Sequence, residues 1–210
     1  MPEKMTDKSV KTFLDELASN APAPGGGSVA ALSGALGAGL ISMVCSFTLG
    51  NPKYSAVQDE ISAIMKKSES LRRELTDLVQ ADIEAYTGFS QAAKMPRDTD
   101  EQKAARTKAL DKARKAATEV PMRVAEACAA VMALCRPALE KGNTNLVSDV
   151  GVGILMAEAG LRSAALNVLI NLGSIKDETF VSETRRKLDA LLKGKPEMRD
   201  EIYNLVVSKL

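Results

Sequence analysis

Histidine and tryptophan are absent from this chain, and cysteine occurs only three times. Histidine is the usual general base near neutral pH, so any proton transfer falls to Asp, Glu, Lys, Tyr or Cys. Without histidine the commonest zinc sites cannot be assembled, and three cysteines without a CxxC pair argue against a disulfide framework. We therefore expect the cysteines to be reduced thiols in the core of a cytoplasmic protein.

The chain also lacks an excess of charge of either sign. Its 28 Lys and Arg residues against 27 Asp and Glu residues give a formal net charge of +1. Nucleic-acid binding therefore has little electrostatic support. The first residues, MPEKMTDKSV, are charged and lack the short apolar segment of a signal peptide. We expect neither a nucleic-acid partner nor export.

Signals for β-strands are equally scarce. Aromatic residues make up 3% of the sequence, and no segment shows sustained alternation of β-branched and polar residues. The 210 residues, 45% of them hydrophobic, are enough for a sizeable core. We therefore predict an all-α fold: one helical bundle with long helices, formed by residues 1–210.

Helix-capping and helix-breaking residues place about seven helices. Thr6 or Asp7 is a candidate cap for the first helix, and Ser28 is one for the second. Pro121 falls inside the fourth helix and is expected to kink or split it. The predicted helices cover about 7–17, 28–50, 53–93, 100–140, 146–172, 177–193 and 197–209.

The apolar segment from Val29 to Gly50 contains no charged residue and is long enough to span a membrane. Its many glycines and small polar residues, and the lack of basic flanks, argue against a membrane span. Ala31, Ala35 and Gly39 recur every fourth residue, so a neighbouring helix can approach closely. We predict a buried Gly/Ala-rich central helix and no membrane partner.

A glycine loop precedes that helix. Gly25, Gly26 and Gly27, followed by Ser28 as a cap, would present free backbone N–H groups to a carboxylate or phosphate. The segment is neither a Walker loop nor a dinucleotide fingerprint, because no GK[ST] follows it and no strand precedes it. A tight turn between two helices is the alternative interpretation.

Two further groups of polar residues lie on apolar helices. Asp82 and Tyr86 share one helix face with apolar neighbours, so Asp82 is either an acid or base with a raised pKa or a solvated surface residue. Asp149 and Asn167 lie near one stripe of the fifth helix and could hydrogen-bond a ligand. Alternatively, Asn145 and Ser148 merely cap that helix.

Taken together, the segments APAPGGGSVAAL, DIEAY, KMPRDTDEQKAAR, ATEVPMRVAE and GNTNLVSDVGVG…AALNVLIN resemble the cyclodeaminase/cyclohydrolase family over nearly the whole chain. The resemblance implies a helical homodimer with folate bound in a cleft at or near the dimer interface. It implies no metal and no prosthetic group, because the tetrahydrofolate derivative is the substrate.

The resemblance also assigns roles to residues. Asp82 matches the acidic position of the family's D-x-x-A-[FY] segment and is the expected catalytic carboxylate. The expected substrate-binding residues are Gly25, Gly26, Gly27, Ser28, Tyr86, Asn145, Ser148, Asp149 and Asn167. Lys94 or Arg97 could attract the glutamate tail of folate.

The resemblance implies two functions, in order of preference, and a third from another class stays open beside them. The first is a methenyltetrahydrofolate cyclohydrolase, which hydrolyses 5,10-methenyltetrahydrofolate to 10-formyltetrahydrofolate. The second is a formiminotetrahydrofolate cyclodeaminase, which releases ammonia. The third is a helical oligomer that binds folate without turning it over. No motif in the sequence distinguishes oxygen from nitrogen at the reacting carbon.

Overall fold

A computed structural model describes residues 4–210 of the chain. These residues form seven α-helices, three short 3₁₀ turns and no strands, so the all-α prediction is confirmed. The helices are α1 (Val10–Leu17), α2 (Gly26–Ser46), α3 (Gln58–Ala93), α4 (Asp100–Lys141), α5 (Val147–Leu172), α6 (Glu178–Leu192) and α7 (Lys195–Val207).

The centre of the fold is the antiparallel pair α2 and α5, which touch backbone to backbone. A Cβ atom on Gly37 would lie 2.9 Å from the carbonyl oxygen of Gly153, and one on Gly160 would lie 2.9 Å from that of Ala30. The buried Gly/Ala-rich helix is therefore confirmed. Its predicted contact stripe is only partly correct, since Gly39 meets nothing closer than Arg72 at 3.7 Å.

Helices α3 and α4 form a long hairpin against this pair. At the hairpin end, the Arg106 guanidinium donates to the backbone carbonyl of Ala93, and Thr99 and Gln102 form a capping box that starts α4. The sequence therefore marked the start of α4 correctly, near Asp100.

Of the two effects expected of Pro121, a kink or a split, the split does not occur: α4 runs through both Pro121 and Pro137. Pro121 has no N–H for the carbonyl of Ala117, four residues earlier. The side chain of Asn171 on α5 donates to that carbonyl instead, with a distance of 2.6 Å between Nδ2 and the oxygen. A neighbouring helix thus supplies the missing hydrogen bond.

Several predicted helix ends are wrong. The hydroxyl of Ser9, rather than Thr6 or Asp7, accepts the capping hydrogen bond of α1 from the N–H of Thr12. Helix α2 begins two residues before Ser28, with Gly25 as its N-cap, and ends at Ser46. Residues Pro52–Val57 form a 3₁₀ turn, so α3 begins at Gln58.

By length and composition, two segments are apolar enough to cross a membrane: Gly26–Ser46, with mean hydropathy 1.8, and Thr144–Leu172, with 1.4. Core helices pass the same test, and 61% and 50% of the two apolar windows are buried inside this fold. What stays exposed is one adjoining apolar face of α2 and α5, which we call the α2/α5 face. Its most exposed members are Val29, Leu36, Val152, Leu155, Leu166 and Ile170, together with Phe47, which directly follows α2.

Candidate active site

A cleft of about 330 Å³ opens between the glycine loop, the hairpin helices α3 and α4, and the C-terminal half of α5. Its walls combine backbone, aromatic and polar groups, as is typical of ligand-binding clefts. The lining residues are Pro22, Ala23, Gly25, Gly26, Gly27, Asp82, Ala85, Tyr86, Phe89, Arg114, Ala117, Asn167, Asn171 and Ser174.

Asp82 projects from α3 onto the first turn of α2. The hydroxyl of Ser28 donates to its Oδ2 atom at 2.8 Å. A Cβ atom on Gly27 would lie only 2.1 Å from Oδ1 and 2.6 Å from Cγ of the same carboxyl group. Glycine is therefore required at position 27 for the Asp82 side chain to occupy this place.

Two opposing effects act on the Asp82 carboxyl group. Burial, the larger effect, raises its pKa above the ordinary value of 3.8, because a charged carboxylate loses solvation. The hydroxyl and the backbone N–H of Ser28 oppose the shift by hydrogen-bonding the charged form. A cleft carboxyl group with a raised pKa is suited to passing protons to and from a ligand.

The glycine loop therefore differs in one respect from the sequence interpretation. Ser28 does not cap α2, because it lies inside the helix, and its hydroxyl binds Asp82. The anion at this helix N-terminus is consequently the protein's own carboxyl group, placed where the helix dipole favours negative charge. Gly25, Gly26 and Gly27 line the cleft beside it.

Tyr86 and Asn167 complete the group that the fold brings together. Tyr86 follows Asp82 by one turn of α3 and lines the cleft with 44% of its surface exposed. Asn167 of α5 packs on Gly26, where a Cβ atom would lie 3.6 Å from both its Nδ2 and its Oδ1. Its Nδ2 donates to the carbonyl of Ser163, which leaves Oδ1 to accept a hydrogen bond from a ligand.

Asn145, Ser148 and Asp149 lie at the opposite end of α5 and do not line this cleft. The 18 residues from Asp149 to Asn167 correspond to about 27 Å of helix. None of these three side chains caps α5. The capping side chain in this region is that of Asn143, which accepts from the N–H of Asn145 in the 3₁₀ turn before α5. Their predicted contact with substrate stays a prediction, and one chain alone does not place them beside Asp82.

Sequence reasoning missed four polar or aromatic residues of the cleft: Phe89, Arg114, Asn171 and Ser174. Asn171 follows Asn167 by one helical turn, so the stripe that contains Asn167 could have included it. Arg114 lies in the charged, regularly patterned part of α4, where nothing in the sequence separates it from its exposed neighbours. Lys94 and Arg97, the cations named from the sequence, do not line the cleft.

The three thiols are buried, as expected, and burial raises the pKa of Cys128 and Cys135 to about 12 and that of Cys45 to about 11. They are therefore protonated core groups at neutral pH. Within residues 4–210, no group of three or more Asp, Glu or Cys side chains is placed to hold a metal ion.

The fold and cleft together define an all-helical protein with a half-buried carboxyl group against the first turn of a helix that begins with glycines. The chain belongs to the formiminotransferase-cyclodeaminase family, whose sequence profile matches residues 9–190. The family resemblance inferred from the sequence is thus confirmed.

This chain covers very different shares of its individual relatives. It is 45% identical to the methenyltetrahydrofolate cyclohydrolase of Methylorubrum extorquens, over 97% of this chain and 98% of that protein. It is 34% identical to the formimidoyltransferase-cyclodeaminase of Rattus norvegicus, but spans only 35% of that longer protein. The crystal structure of formiminotetrahydrofolate cyclodeaminase from Thermotoga maritima matches with a TM-score of 0.78 and 32% identity, over 97% of this chain and 96% of that one.

Proposed function

We propose that this protein is a methenyltetrahydrofolate cyclohydrolase, which converts 5,10-methenyltetrahydrofolate and water to 10-formyltetrahydrofolate. The observation that carries the proposal is the cleft carboxyl group of Asp82, held by Ser28 with a raised pKa. The preference for hydrolysis over deamination rests on the near full-length similarity to the cyclohydrolase of Methylorubrum extorquens.

The reaction requires two proton movements at one carbon. Water adds to the cationic methenyl carbon between N5 and N10, forming a C–O bond and releasing one proton to a base. The C–N5 bond then breaks while the second proton moves from oxygen to N5, which leaves the formyl group on N10. A carboxylate beside this carbon stabilises the cation, orients the water and carries the proton.

In the proposed site, Asp82 is this carboxylate and Ser28 holds it in position. Gly27 allows the carboxyl group to lie against the start of α2. Tyr86 and Asn167 contact the folate, together with the backbone of Gly25 and Gly26. The substrate supplies the reacting groups, so the proposed chemistry needs neither a metal nor a prosthetic group.

Formiminotetrahydrofolate cyclodeaminase activity is the second candidate. The similarity to the Thermotoga maritima cyclodeaminase, which also extends over nearly the full length of both chains, favours it. In that reaction N10 closes on the formimino carbon and ammonia leaves, so Asp82 would protonate the departing nitrogen. A folate-binding oligomer without turnover is the third candidate.

The deciding experiment follows the near-ultraviolet absorbance of 5,10-methenyltetrahydrofolate with the wild-type protein, Asp82→Asn and Glu84→Gln. Glu84 is an exposed carboxylate on the same helix, and its one hydrogen-bond partner in the described part of the chain is the side chain of Gln80, so its variant is the matched control. We expect the wild type and Glu84→Gln to accelerate hydrolysis alike and Asp82→Asn to lose about a hundredfold or more in kcat. Melting temperatures establish that each variant is folded.

Other outcomes select the other candidates. Full activity in a folded Asp82→Asn variant would contradict the role of Asp82. Ammonia release from 5-formiminotetrahydrofolate, without hydrolysis of the methenyl compound, would make the protein a cyclodeaminase. Folate binding without turnover of either compound would leave the non-catalytic oligomer.

We also propose that the protein is a cytoplasmic homodimer joined through the α2/α5 face. Contiguous exposed apolar surface of this kind is typical of subunit interfaces. Ser148 is exposed on the same side of α5 as Val152 and Leu155, so Ser148 and its neighbours Asn145 and Asp149 would face a partner subunit. This arrangement supports their predicted role in substrate binding better than a single chain does.

Light scattering tests the dimer. We expect wild-type protein to have twice the mass of one chain, and Leu155→Glu to be monomeric with unchanged helicity. Val207→Glu, at an exposed apolar residue of α7 outside this face, is the control. A monomeric wild type would contradict the proposal, and a requirement for detergent would indicate that the face meets lipid instead.

A further inference from the structure

Arg114 is the one cationic side chain that lines the cleft within the described residues 4–210. Its side chain is only 26% exposed. Its Nε atom is buried and donates no hydrogen bond to the described part of the chain. A buried donor of a charged group is costly to leave unpaired. This position therefore suits a group that a ligand brings into the cleft.

The direction of the guanidinium indicates what kind of group it accepts. Among residues 4–210, the guanidinium makes one polar contact, between Nη1 and Oδ1 of Asp111 on the same helix at 3.5 Å. The edge formed by Nε and Nη2 is thus left without a partner in the described residues. Two parallel N–H groups on this edge match the two oxygens of a carboxylate.

The position of Arg114 along the cleft can be compared with that of Asp82, where the reacting carbon would lie. Along α3, Tyr86 and Phe89 follow Asp82 by about one and two helical turns toward the hairpin end. Helix α4 runs back along α3. Two of its residues, Arg114 and Ala117, line the cleft, and Arg114 is the one nearer the hairpin end, by about one turn. The pairs Arg106–Ala93 and Arg123–Glu74 bracket this stretch of the hairpin, so Arg114 lies about level with the turn of α3 that follows Asp82. The guanidinium and the two aromatic rings therefore lie on the same side of the Asp82 carboxyl group, toward the hairpin end.

The groups of a tetrahydrofolate molecule fit this arrangement. Its reacting carbon bridges N5 and N10, an aminobenzoyl ring follows, and the glutamate carboxylates lie beyond that ring. With the carbon at Asp82, the ring meets Tyr86 and Phe89, and the glutamate reaches Arg114. The pterin then lies on the side of the glycine loop and Asn167.

We propose that Arg114 binds a carboxylate of the glutamate end of the substrate through Nε and Nη2. It thereby selects pteroylglutamates over pterin compounds without that tail. The inference rests on the proposed folate function of the cleft, and it assigns to Arg114 the tail contact that the sequence suggested for Lys94 or Arg97.

Calorimetry with a non-reacting ligand tests the proposal without turnover. The ligands are 5-formyltetrahydrofolate and its diamide, in which both glutamate carboxylates are converted to amides. The proteins are the wild type, Arg114→Gln and Arg97→Gln. Arg97 is an exposed arginine outside the cleft, so its variant is the matched control.

We expect the wild type to bind the dicarboxylate about tenfold or more tightly than the diamide, because a charge-assisted fork is lost in the diamide. Arg114→Gln should abolish this preference while its affinity for the diamide stays unchanged. Arg97→Gln should behave as the wild type. Arg114→Lys, which keeps the charge but not the fork, should retain part of the preference.

Several results would overturn the proposal. They are a wild type without the preference, equal weakening of both ligands in folded Arg114→Gln, or loss of the preference in Arg97→Gln. The function and the inference fail separately, because binding is measured apart from hydrolysis. A protein without cyclohydrolase activity can still show the Arg114-dependent preference, and an active enzyme can lack it.

Discussion

Two groups of glycines at the central helices have different neighbours. In the packing group, Gly37 and Gly160 face backbone atoms of the opposite helix, with the nearest carbonyl oxygens 2.9 Å from an added Cβ. In the cleft group, the three atoms nearest to an added Cβ on Gly27 all belong to the side chain of Asp82. Gly25 has no atom within 4 Å of an added Cβ, and Gly26 meets Asn167 at 3.6 Å.

The difference separates stability from function within the central helix pair. A methyl group at a packing glycine meets backbone that cannot rotate away, so the helices must separate and the core loosens. A methyl group at Gly27 meets a carboxyl group that can turn aside, so the fold survives and the geometry of the proposed catalytic group is lost. The same substitution thus tests two different properties.

The largest effect is expected from Gly37→Ala. The new Cβ would lie 2.9 Å from the Gly153 oxygen and 3.1 Å from the Ala157 nitrogen. We expect the free energy of unfolding in urea to fall by about 3 kcal/mol. Gly88→Ala is the control, since Gly88 is exposed inside α3 with no atom within 4 Å of an added Cβ. The free energy of unfolding of Gly88→Ala should rise by about 0.5–1 kcal/mol, because alanine has the higher helix propensity. Similar changes in both variants would contradict the packing role of Gly37.

Gly27→Ala should lose about a hundredfold in kcat/KM at a smaller cost in stability than Gly37→Ala, because it displaces the Asp82 carboxyl group. A double-mutant cycle sharpens this expectation. In an Asp82→Ala background the clash is absent, so Gly27→Ala should then leave the urea midpoint nearly unchanged. An equal loss of stability in both backgrounds would show that Gly27 packs against something other than Asp82.

The smallest effect is expected from Ser28→Ala and appears in the pH dependence. The Ser28 hydroxyl favours the charged form of Asp82 and so lowers a pKa that burial raises. Without it that pKa rises further, so a larger fraction of Asp82 is protonated at a given acidic pH. We expect the acid limb of the kcat/KM profile to move to higher pH.

Ser33→Ala is the matched control for this profile. The Ser33 hydroxyl, also on α2, donates to the carbonyl of Met156 and not to Asp82. Its acid limb should coincide with that of the wild type. A Ser28→Ala profile that stays in place, or moves to lower pH, would contradict the assigned contact between Ser28 and Asp82.

The sequence predicted much of the fold because helix signals are local. Capping residues, loop prolines and apolar spacing place most of the long helices within a few residues of their observed ends. The exceptions are residues whose local preference was overridden by a distant partner. Serine is a favoured residue at helix N-caps, but the Ser28 hydroxyl binds Asp82, 54 positions away. Proline usually breaks helices, but the Asn171 side chain donates to the carbonyl that Pro121 leaves without a partner.

The cleft was predictable only where residues of unusual type stood out in their own segment. Asp82 on a partly apolar helix face, the three consecutive glycines and Asn167 on an apolar helix were all recognisable, and the fold brings them together. Arg114 was not, because it stands among many charged residues of α4 and only its burial distinguishes it. Asp149 shared a stripe with Asn167, but a straight helix holds the two residues about 27 Å apart.

Local signals in the sequence were enough to establish the helical class, the order of the helices, and a glycine loop and an acidic residue suited to proton transfer. These features depend on local propensities and on spacing along a single helix. Three other features depend on the packing of distant segments: Ser28 binds Asp82, Asn171 supports α4 at Pro121, and Arg114 lines the same cleft. Contacts between distant segments depend on how helices pack, and burial and unpaired donors exist only once they have packed.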